Sequence, residues 1–227
     1  MAKSYFTPAF FKFFADLKKH NTKLWFDANK ARYETVVREP LLQFIADFGP
    51  TLRRITPNLV ADPRPVGGSM FRIYRDIRFS KDKSPYKTHA SVHFGHRDHG
   101  RPAPGYYLSL APGEVYAGIG LWHPEPKTLA QVRDAIVAHP DRWRRVISAK
   151  SFTARCKLEG RSLKKPPRGY DPDHPLVEHL KLTDFVAMTR FSQTQACSAS
   201  FMPAFAATCR AAAPFGEFLT QAVGLPW

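Results

Sequence analysis

The sequence has few of the features that mark secreted, membrane or metal-binding proteins. Its 227 residues include only three cysteines, Cys156, Cys197 and Cys209, and no C-x-x-C pair. An odd number without that spacing argues against a disulfide framework or a structural zinc knuckle, and it fits a reducing cytoplasm. No run of about 18 apolar residues occurs, so neither a transmembrane helix nor a membrane partner is expected.

Motifs that would identify a reaction or a cofactor are also missing. The apolar stretch 9–17 is interrupted by Lys12 and Asp16, and no small-residue cleavage site follows, so no signal peptide is expected. There is no phosphate-binding G-x-x-x-x-G-K-[ST] loop and no G-x-S-x-G nucleophile elbow. The sequence therefore predicts a cytoplasmic protein with no evident cofactor or metal, and it leaves open both enzymatic activity and oligomeric state.

What the chain has in excess is positive charge and aromatic side chains. Lys and Arg number 34 against 19 Asp and Glu, a net charge of +15, and 44% of the residues are hydrophobic. That content is enough to build one sizeable core and excludes global disorder. The charge is local: residues 142–168 hold ten basic residues and one acid, and residues 72–87 hold six basic residues and two acids.

The first quarter and the last third of the chain have mostly helical spacing. Thr7-Pro8 is a typical helix start, and Pro40 predicts a kink or a break between two helices. Residues 150–182 are rich in proline and basic residues and are predicted to be mostly irregular. Helices are predicted at 8–19, 23–55 around Pro40, 127–138, 140–147 and from Ser200 onward.

The middle of the chain alternates with a period of two, which is typical of strands. The alternating runs are 70–75, 89–95, 105–110 and 114–122, with one more strand at 187–191. Pro112-Gly113 predicts a tight turn, and Arg97 to Pro104 a longer polar loop, so the strands form antiparallel hairpins. We predict an α+β fold. It is a single domain over 1–227, with a meander-like antiparallel sheet of about four to six strands packed by N-terminal helices, a helix pair after the sheet and a C-terminal helix.

The densest polar stretch is 71–88. Arginine can grip a phosphate or a carboxylate through two parallel hydrogen bonds, and lysine adds a point charge. This stretch therefore predicts a site for a phosphorylated or carboxylated small molecule. The predicted ligand-binding residues are Arg72, Arg75, Arg78, Ser80, Lys81, Lys83, Tyr86 and Lys87.

Two acids in the same stretch leave the chemistry open. Asp76 and Asp82 can orient the arginines, or one of them can act as a general base or a metal ligand. They are the only catalytic candidates that the sequence offers. Two alternatives need no ligand: a solvated loop with local ion pairs, and a structural or interaction module whose arginines are paired with acids.

The same stretch carries a resemblance to a known family. The run RIYRDIRFSKDKSPYKTHASVHF (72–94), with LKKHNTKLWFDANKARYE (17–34), GYYLSL, GIGLWHPEP and LEGRSLKKPPRGYDPDHPLVEHLK (158–181), resembles the bacterial and fungal domain-of-unknown-function 2461 family. The resemblance implies a stand-alone α+β domain and no established activity. It covers residues 6–192, so residues 193–227 are predicted to be a helical extension.

A second basic segment offers an alternative partner. The tract 142–168 has many basic residues but only two aromatic ones, Trp143 and Phe152, and no recognised RNA-binding signature. It is either a solvated basic surface or a nucleic-acid-binding surface. The residues predicted to contact a polyanion are Arg142, Arg144, Arg145, Lys164, Lys165 and Arg168.

Two further patterns are less specific. His89, His93, His96 and His99 cluster with Asp98, but two lie on a predicted strand and two in a loop, so no metal site is predicted. Gly118 and Gly120 alternate on one strand face beside Tyr116 and Trp122. Together with Tyr106 and Tyr107, they predict either a shallow aromatic-walled floor or a face covered by a helix.

Overall fold

The N-terminal quarter forms a helical layer, as its spacing predicts. In the computed structural model, which describes residues 3–98 and 102–227, Pro8 begins α1 in its first turn and five apolar side chains of that helix are buried. A π-helical turn, Glu34–Arg38, lies just before Pro40 and marks the predicted break. The helices of this layer are α1 (Pro8–Lys19), α2 (Lys23–Ala28), α3 (Lys30–Tyr33) and α4 (Glu39–Ile55).

A five-stranded antiparallel sheet follows. Its order is β1-β2-β3-β5-β4, so the first three strands form the predicted meander and two later strands extend it. The connection from β1 to β2 passes through residues 99–101, outside the described residues. The strands are β1 (Ala90–Phe94), β2 (Gly105–Ala111), β3 (Glu114–Leu121), β4 (Lys157–Glu159) and β5 (Phe185–Phe191).

The remaining helices close the fold. The predicted pair after the sheet is α5 and α6, and the predicted C-terminal helix is α10. Twelve residues of α10 are buried, and it packs against β3 and against α4, so it forms the centre of the core. These helices are α5 (Pro126–Ala138), α6 (Pro140–Ser148), α7 (Lys150–Thr153), α8 (Val177–Leu180), α9 (Gln193–Ala196) and α10 (Phe201–Ala222). The structure confirms the predicted α+β class.

The two faces of the sheet differ in chemistry. Val92, Leu108 and Ala117 lie side by side across three strands on the face covered by helices, and all are 1% exposed or less. On the other face the corresponding row is His93, Tyr107, Gly118 and Met188, which are buried only in part except for the glycine. We call this second face the open face. The period of two places alternate side chains of each strand on it.

Two local predictions were wrong. Residues 70–75 do not form a regular strand but make two isolated bridges, Met70 to Val92 and Tyr74 to Tyr86. Pro85 stands opposite and has no N–H group, so the ladder cannot continue. The tract 150–182 is less irregular than expected, because it contains the short elements α7, β4 and α8.

In the described residues, no helix is both long enough and apolar enough to cross a bilayer.

Candidate functional site

The basic segment is a hairpin-like excursion from the edge of the sheet. The amide of Phe71 donates to the Ser91 carbonyl at 3.0 Å, which ties the start of the segment to β1. The chain then turns back on itself, with Arg75 N donating to Pro85 O at 2.9 Å and Lys87 N to Ile73 O at 2.8 Å. We call residues 71–88 the basic hairpin. Residues 76–84 form its tip, and Phe71, Arg72 and Lys87 form its base.

The N-terminal helices hold this hairpin in place. The Asn21 side chain donates to the Tyr86 carbonyl at 2.9 Å and accepts from the Tyr86 amide at 3.1 Å, as a neighbouring strand would. The Phe26 and Tyr86 rings stack at 4.2 Å, and Tyr86 is only 3% exposed. Burial raises the pKa of Tyr86. Among the predicted ligand-binding residues, Tyr86 is therefore an anchor of the hairpin.

The cations of the tip are paired inside the tip itself. Arg75 forms an ion pair with Asp82 and donates a 3.3 Å hydrogen bond to Ser80 Oγ. Arg78 binds Asp76 in bidentate fashion, at 3.0 Å from Nε and 2.7 Å from Nη2. These contacts use much of the hydrogen-bonding capacity of both arginines. Lys83 Nζ donates to the Ile77 carbonyl at 3.0 Å, and Lys81 is exposed.

The two aspartates of the tip are held in their ionised form. Hydrogen bonds from Ser84, and then the Arg75 guanidinium, place the pKa of Asp82 far below its usual range. Arg78 lowers the pKa of Asp76 in the same way. A general acid needs the opposite shift, and a strong base needs a higher pKa than either has. The contacts favour the role of orienting arginines over proton transfer.

The base of the hairpin is different. Lys87 is half-buried, its Nζ donates to the Arg72 carbonyl at 2.9 Å, and it lies 5.2 Å from the centre of the Phe71 ring. Burial and the nearby Arg72 charge lower the pKa of Lys87. Within the described residues no carboxylate comes within ion-pair distance of Lys87 or Arg72, although the Arg72 charge reaches Asp76 at longer range. Two cations thus share one place without an acid between them.

The base borders an aromatic part of the open face. The Phe71 ring lies 6.3 Å from the His93 ring and 6.1 Å from the Tyr107 ring, and Tyr116 lies 5.9 Å beyond Tyr107. The Tyr116 hydroxyl shares hydrogen bonds with Ser109 and Tyr107, and burial is the main cause of its raised pKa. Sequence reasoning missed the link between Phe71 and this face, because the bridge at Met70 that aims Phe71 has no local signal.

The histidines do not converge. Burial lowers the pKa of both His89 and His93, on the open face, and therefore favours neutral rings. His96 instead faces the C-terminal segment, with Nε2 at 2.9 Å from the Pro226 carbonyl and Nδ1 accepting from the Asp98 amide. His99 lies outside the described residues. Within those residues no three metal-ligating side chains of His, Cys, Asp or Glu gather at one point.

The glycines of β3 serve the sheet. A Cβ on Gly120, which has φ +151°, would collide with the Phe185 carbonyl, so glycine permits the close approach of β5. The Met188 side chain covers Gly118, where either an empty floor or a helix was expected. Tyr106 lies on the opposite face and donates to the Cys209 carbonyl at 2.6 Å. The aromatic wall of the open face therefore comes from Tyr107 and Tyr116.

The second basic tract is spread over α6, α7, β4 and the loop after it. Arg142 contacts Gln221 at 2.7 Å and Glu217 at 3.7 Å, and Arg144 pairs with Asp141 at 3.0 Å. Along the edge of β5, a surface cavity of about 420 Å³ has three basic side chains in its lining, Arg155, Lys157 and Arg190. The predicted polyanion residues that are exposed and make no ion pair with a described residue are Arg145, Lys164, Lys165 and Arg168.

One buried acid near this tract was not singled out from the sequence. Asp184 is fully buried and accepts hydrogen bonds from the His123 amide at 2.7 Å and from Arg161 Nε at 3.0 Å. Burial alone would raise the pKa of Asp184, but these donors lower it. It joins the end of β3 to the segment after β4. A single acid among many charges has no spacing that reveals this role.

A sheet with one face under helices and one face open, edged by a cationic hairpin, defines the class: a one-sided α+β protein. The chain belongs to the family of conserved hypothetical proteins DUF2461, whose model matches residues 9–218. The match includes the basic hairpin, the open face and most of α10, and the family's description names no activity. No curated protein matches the chain.

Proposed function

We propose that the protein binds a small phosphorylated or carboxylated molecule at the base of the basic hairpin. Arg72 and Lys87 would hold its anionic group, and the rings of Phe71 and Tyr107 would flank the remainder. The observation that carries the proposal is the placement of Lys87, half-buried beside a second cation, with no described carboxylate within ion-pair distance. Burying an uncompensated charge is costly, and an anion between the two cations would remove that cost.

The tip contributes less to this proposal than the sequence predicted. Arg75 and Arg78 already have acid partners, so a ligand must compete with Asp82 and Asp76 for them. The paired tip also supports the structural alternative, in which this part of the hairpin has only a shape to maintain. The proposal therefore assigns the anion to the base and leaves the tip as its support.

A thermal-shift series tests the proposal. The probes are inorganic phosphate, glycerol phosphate, AMP and succinate, added to the wild type, to Lys87→Met and to Arg72→Gln. A ligand present at about 100 times its Kd stabilises a protein by about 2.7 kcal/mol, which for a chain of this size raises Tm by roughly 5–10 °C. We expect such a rise in the wild type for at least one probe and its loss in both variants.

The matched control is Lys81→Met, which removes an exposed lysine from the same hairpin. Phosphate stabilises many proteins without a site, so the difference between variants is the readout. An equal Tm rise in Lys87→Met and in the wild type would overturn the proposal. Loss of the rise only in the double variant Arg75→Gln, Arg78→Gln would move the anion to the tip.

The cavity at the β5 edge supports a second candidate function, polyanion binding through the tract 142–168. Three cations line this cavity, and four further cations of the tract are exposed without a described ion pair. Binding to duplex or single-stranded DNA would then weaken steeply with salt, and the log–log slope would flatten in Lys164→Gln, Lys165→Gln. A flat salt dependence in the wild type would reject this candidate.

A further inference from the structure

Lys87 differs from an ordinary surface lysine in its surroundings. Its ammonium group lies over the Phe71 ring, donates to a backbone carbonyl and has the Arg72 guanidinium as its charged neighbour. Burial next to another cation is one of the two arrangements by which proteins activate a lysine amine as a nucleophile. The other lysines of the hairpin, Lys81 and Lys83, are exposed.

We propose that Lys87 is a nucleophile that forms an imine with a small aldehyde or keto compound carrying a phosphate or a carboxylate. This inference rests on the proposed function, because the anionic group must sit beside Arg72 for the carbonyl to reach the Lys87 amine. It narrows the substrate class from any small anion to an anionic carbonyl compound.

The charged groups around the amine favour its neutral form. Burial and the Arg72 charge lower the pKa of Lys87, and each lowering enlarges the neutral fraction at a given pH. His89 follows Lys87 by two residues and lies close enough for the Lys87 charge to lower its own pKa, while Glu114 acts on His89 in the opposite direction. Asp76 is the acid that feels Arg72, at more than ion-pair distance.

The reaction needs no partner beyond the carbonyl compound. The nitrogen lone pair of the neutral amine attacks the carbonyl carbon, the C=O π electrons move to oxygen, and a proton passes from nitrogen to that oxygen. The carbinolamine then takes up one proton on its hydroxyl, loses water and releases one proton from nitrogen. One amine and one carbonyl give one imine and one water, with no change of oxidation state. His89, neutral and on the same face, is placed to carry the proton that the Lys87 ammonium must lose first.

Trapping with cyanoborohydride tests the inference. The full chain is incubated with glyoxylate, with glycolaldehyde phosphate or with uncharged glycolaldehyde, each with the reductant, and the modified lysines are located by peptide mass mapping. We expect Lys87 to be modified several-fold faster than Lys81 and Lys83. We expect its preference to be larger for the two anionic aldehydes than for the uncharged one.

Two variants separate this inference from the proposed function. Lys87→Arg keeps the charge but removes the nucleophile, so anion-dependent stabilisation should remain while trapping at position 87 disappears. Arg72→Gln should slow trapping at Lys87 by both kinds of aldehyde, most strongly by the anionic ones, and leave Lys81 unchanged.

The outcomes are distinct. Labelling of Lys87 at the same rate as Lys81 and Lys83, in a protein that phosphate stabilises, would overturn the imine and leave anion binding intact. Loss of both the labelling preference and the stabilisation would overturn both. Preferential labelling by uncharged glycolaldehyde alone would show an activated amine without an anion site, and would overturn the substrate class inferred here.

Discussion

The base and the tip of the basic hairpin hold the same kinds of side chains in opposite arrangements. At the tip, Arg75 and Arg78 each face an aspartate, and those aspartates are 61% and 48% exposed. At the base, Arg72 and Lys87 approach each other with no described carboxylate within ion-pair distance, and Lys87 is half-buried. Exposed pairs contribute little to stability, whereas buried unpaired charge is expensive. Pairing and burial, rather than the number of cations, separate a supporting loop from a candidate binding site.

The largest expected effect comes from removing the anchor on which both ends depend. Tyr86→Ala removes the ring that stacks on Phe26, from a side chain that is 3% exposed. Loss of a buried aromatic side chain costs roughly 3–5 kcal/mol of the free energy of unfolding, which urea denaturation measures. Tyr74→Ala is the matched control, because Tyr74 belongs to the same bridge and is 52% exposed. Equal losses in the two variants would show that the hairpin is not anchored through Tyr86.

A buried acid provides the next test, in contrast to the exposed acids of the tip. Asp184→Asn should lower the free energy of unfolding by about 1–3 kcal/mol, because donors aimed at a fully buried carboxylate lose their charged acceptor. The pKa of Asp184 is lowered in the folded protein, so its stabilisation is complete above the unfolded pKa of about 3.9 and is lost as the pH falls below it. The acid-induced loss of stability should therefore be smaller in Asp184→Asn. An unchanged acid profile would contradict this.

The third test uses the base of the hairpin without any ligand. Lys87→Met should change the free energy of unfolding by less than about 1 kcal/mol, because the lost hydrogen bond is offset by removal of an uncompensated charge. Urea denaturation in a buffer free of phosphate and carboxylates measures it. A loss of several kcal/mol would identify Lys87 as part of the core, and the contrast between base and tip would fail.

The smallest effect on stability is expected at the tip. Asp76→Asn and Asp82→Asn should leave the denaturation midpoint almost unchanged, because both acids are well exposed. The substitutions free Arg78 and Arg75 from their charged partners. We expect any phosphate binding, measured by titration calorimetry, to tighten modestly in these variants. Weaker binding would show that the tip aspartates hold the arginines in a productive orientation.

Most of the fold follows from local signals. The start of α1 at Pro8, the turn at Pro112-Gly113 and the alternation in β1 to β3 each depend on neighbouring residues, and each prediction was confirmed. The π-helical turn before Pro40 is the structural form of the predicted break. What the sequence did not reveal was the placement of β5 between β3 and β4, because a short strand within a basic, proline-rich tract has little periodicity of its own.

The candidate site was predictable in composition but not in arrangement. The segment 71–88 could be singled out by its charges, yet nothing in its spacing says that Arg75 and Arg78 pair locally while Lys87 does not. That difference depends on a turn made by Asp82 and Ser84 and on a ring from Phe71. The contribution of the open face depends on long-range strand register, which a single sequence does not encode in any short motif.

The hydrogen bonds between Asn21 and Tyr86 join residues that are 65 positions apart. They make the hairpin the last part of this region that can reach its final place, since its docking surface exists only after α1 and α2 have packed. The coupling also works in the other direction. Any molecule that holds the base of the hairpin would slow the opening of the first 28 residues, so protease resistance of that segment would report occupancy of a site some 60 residues away in the chain.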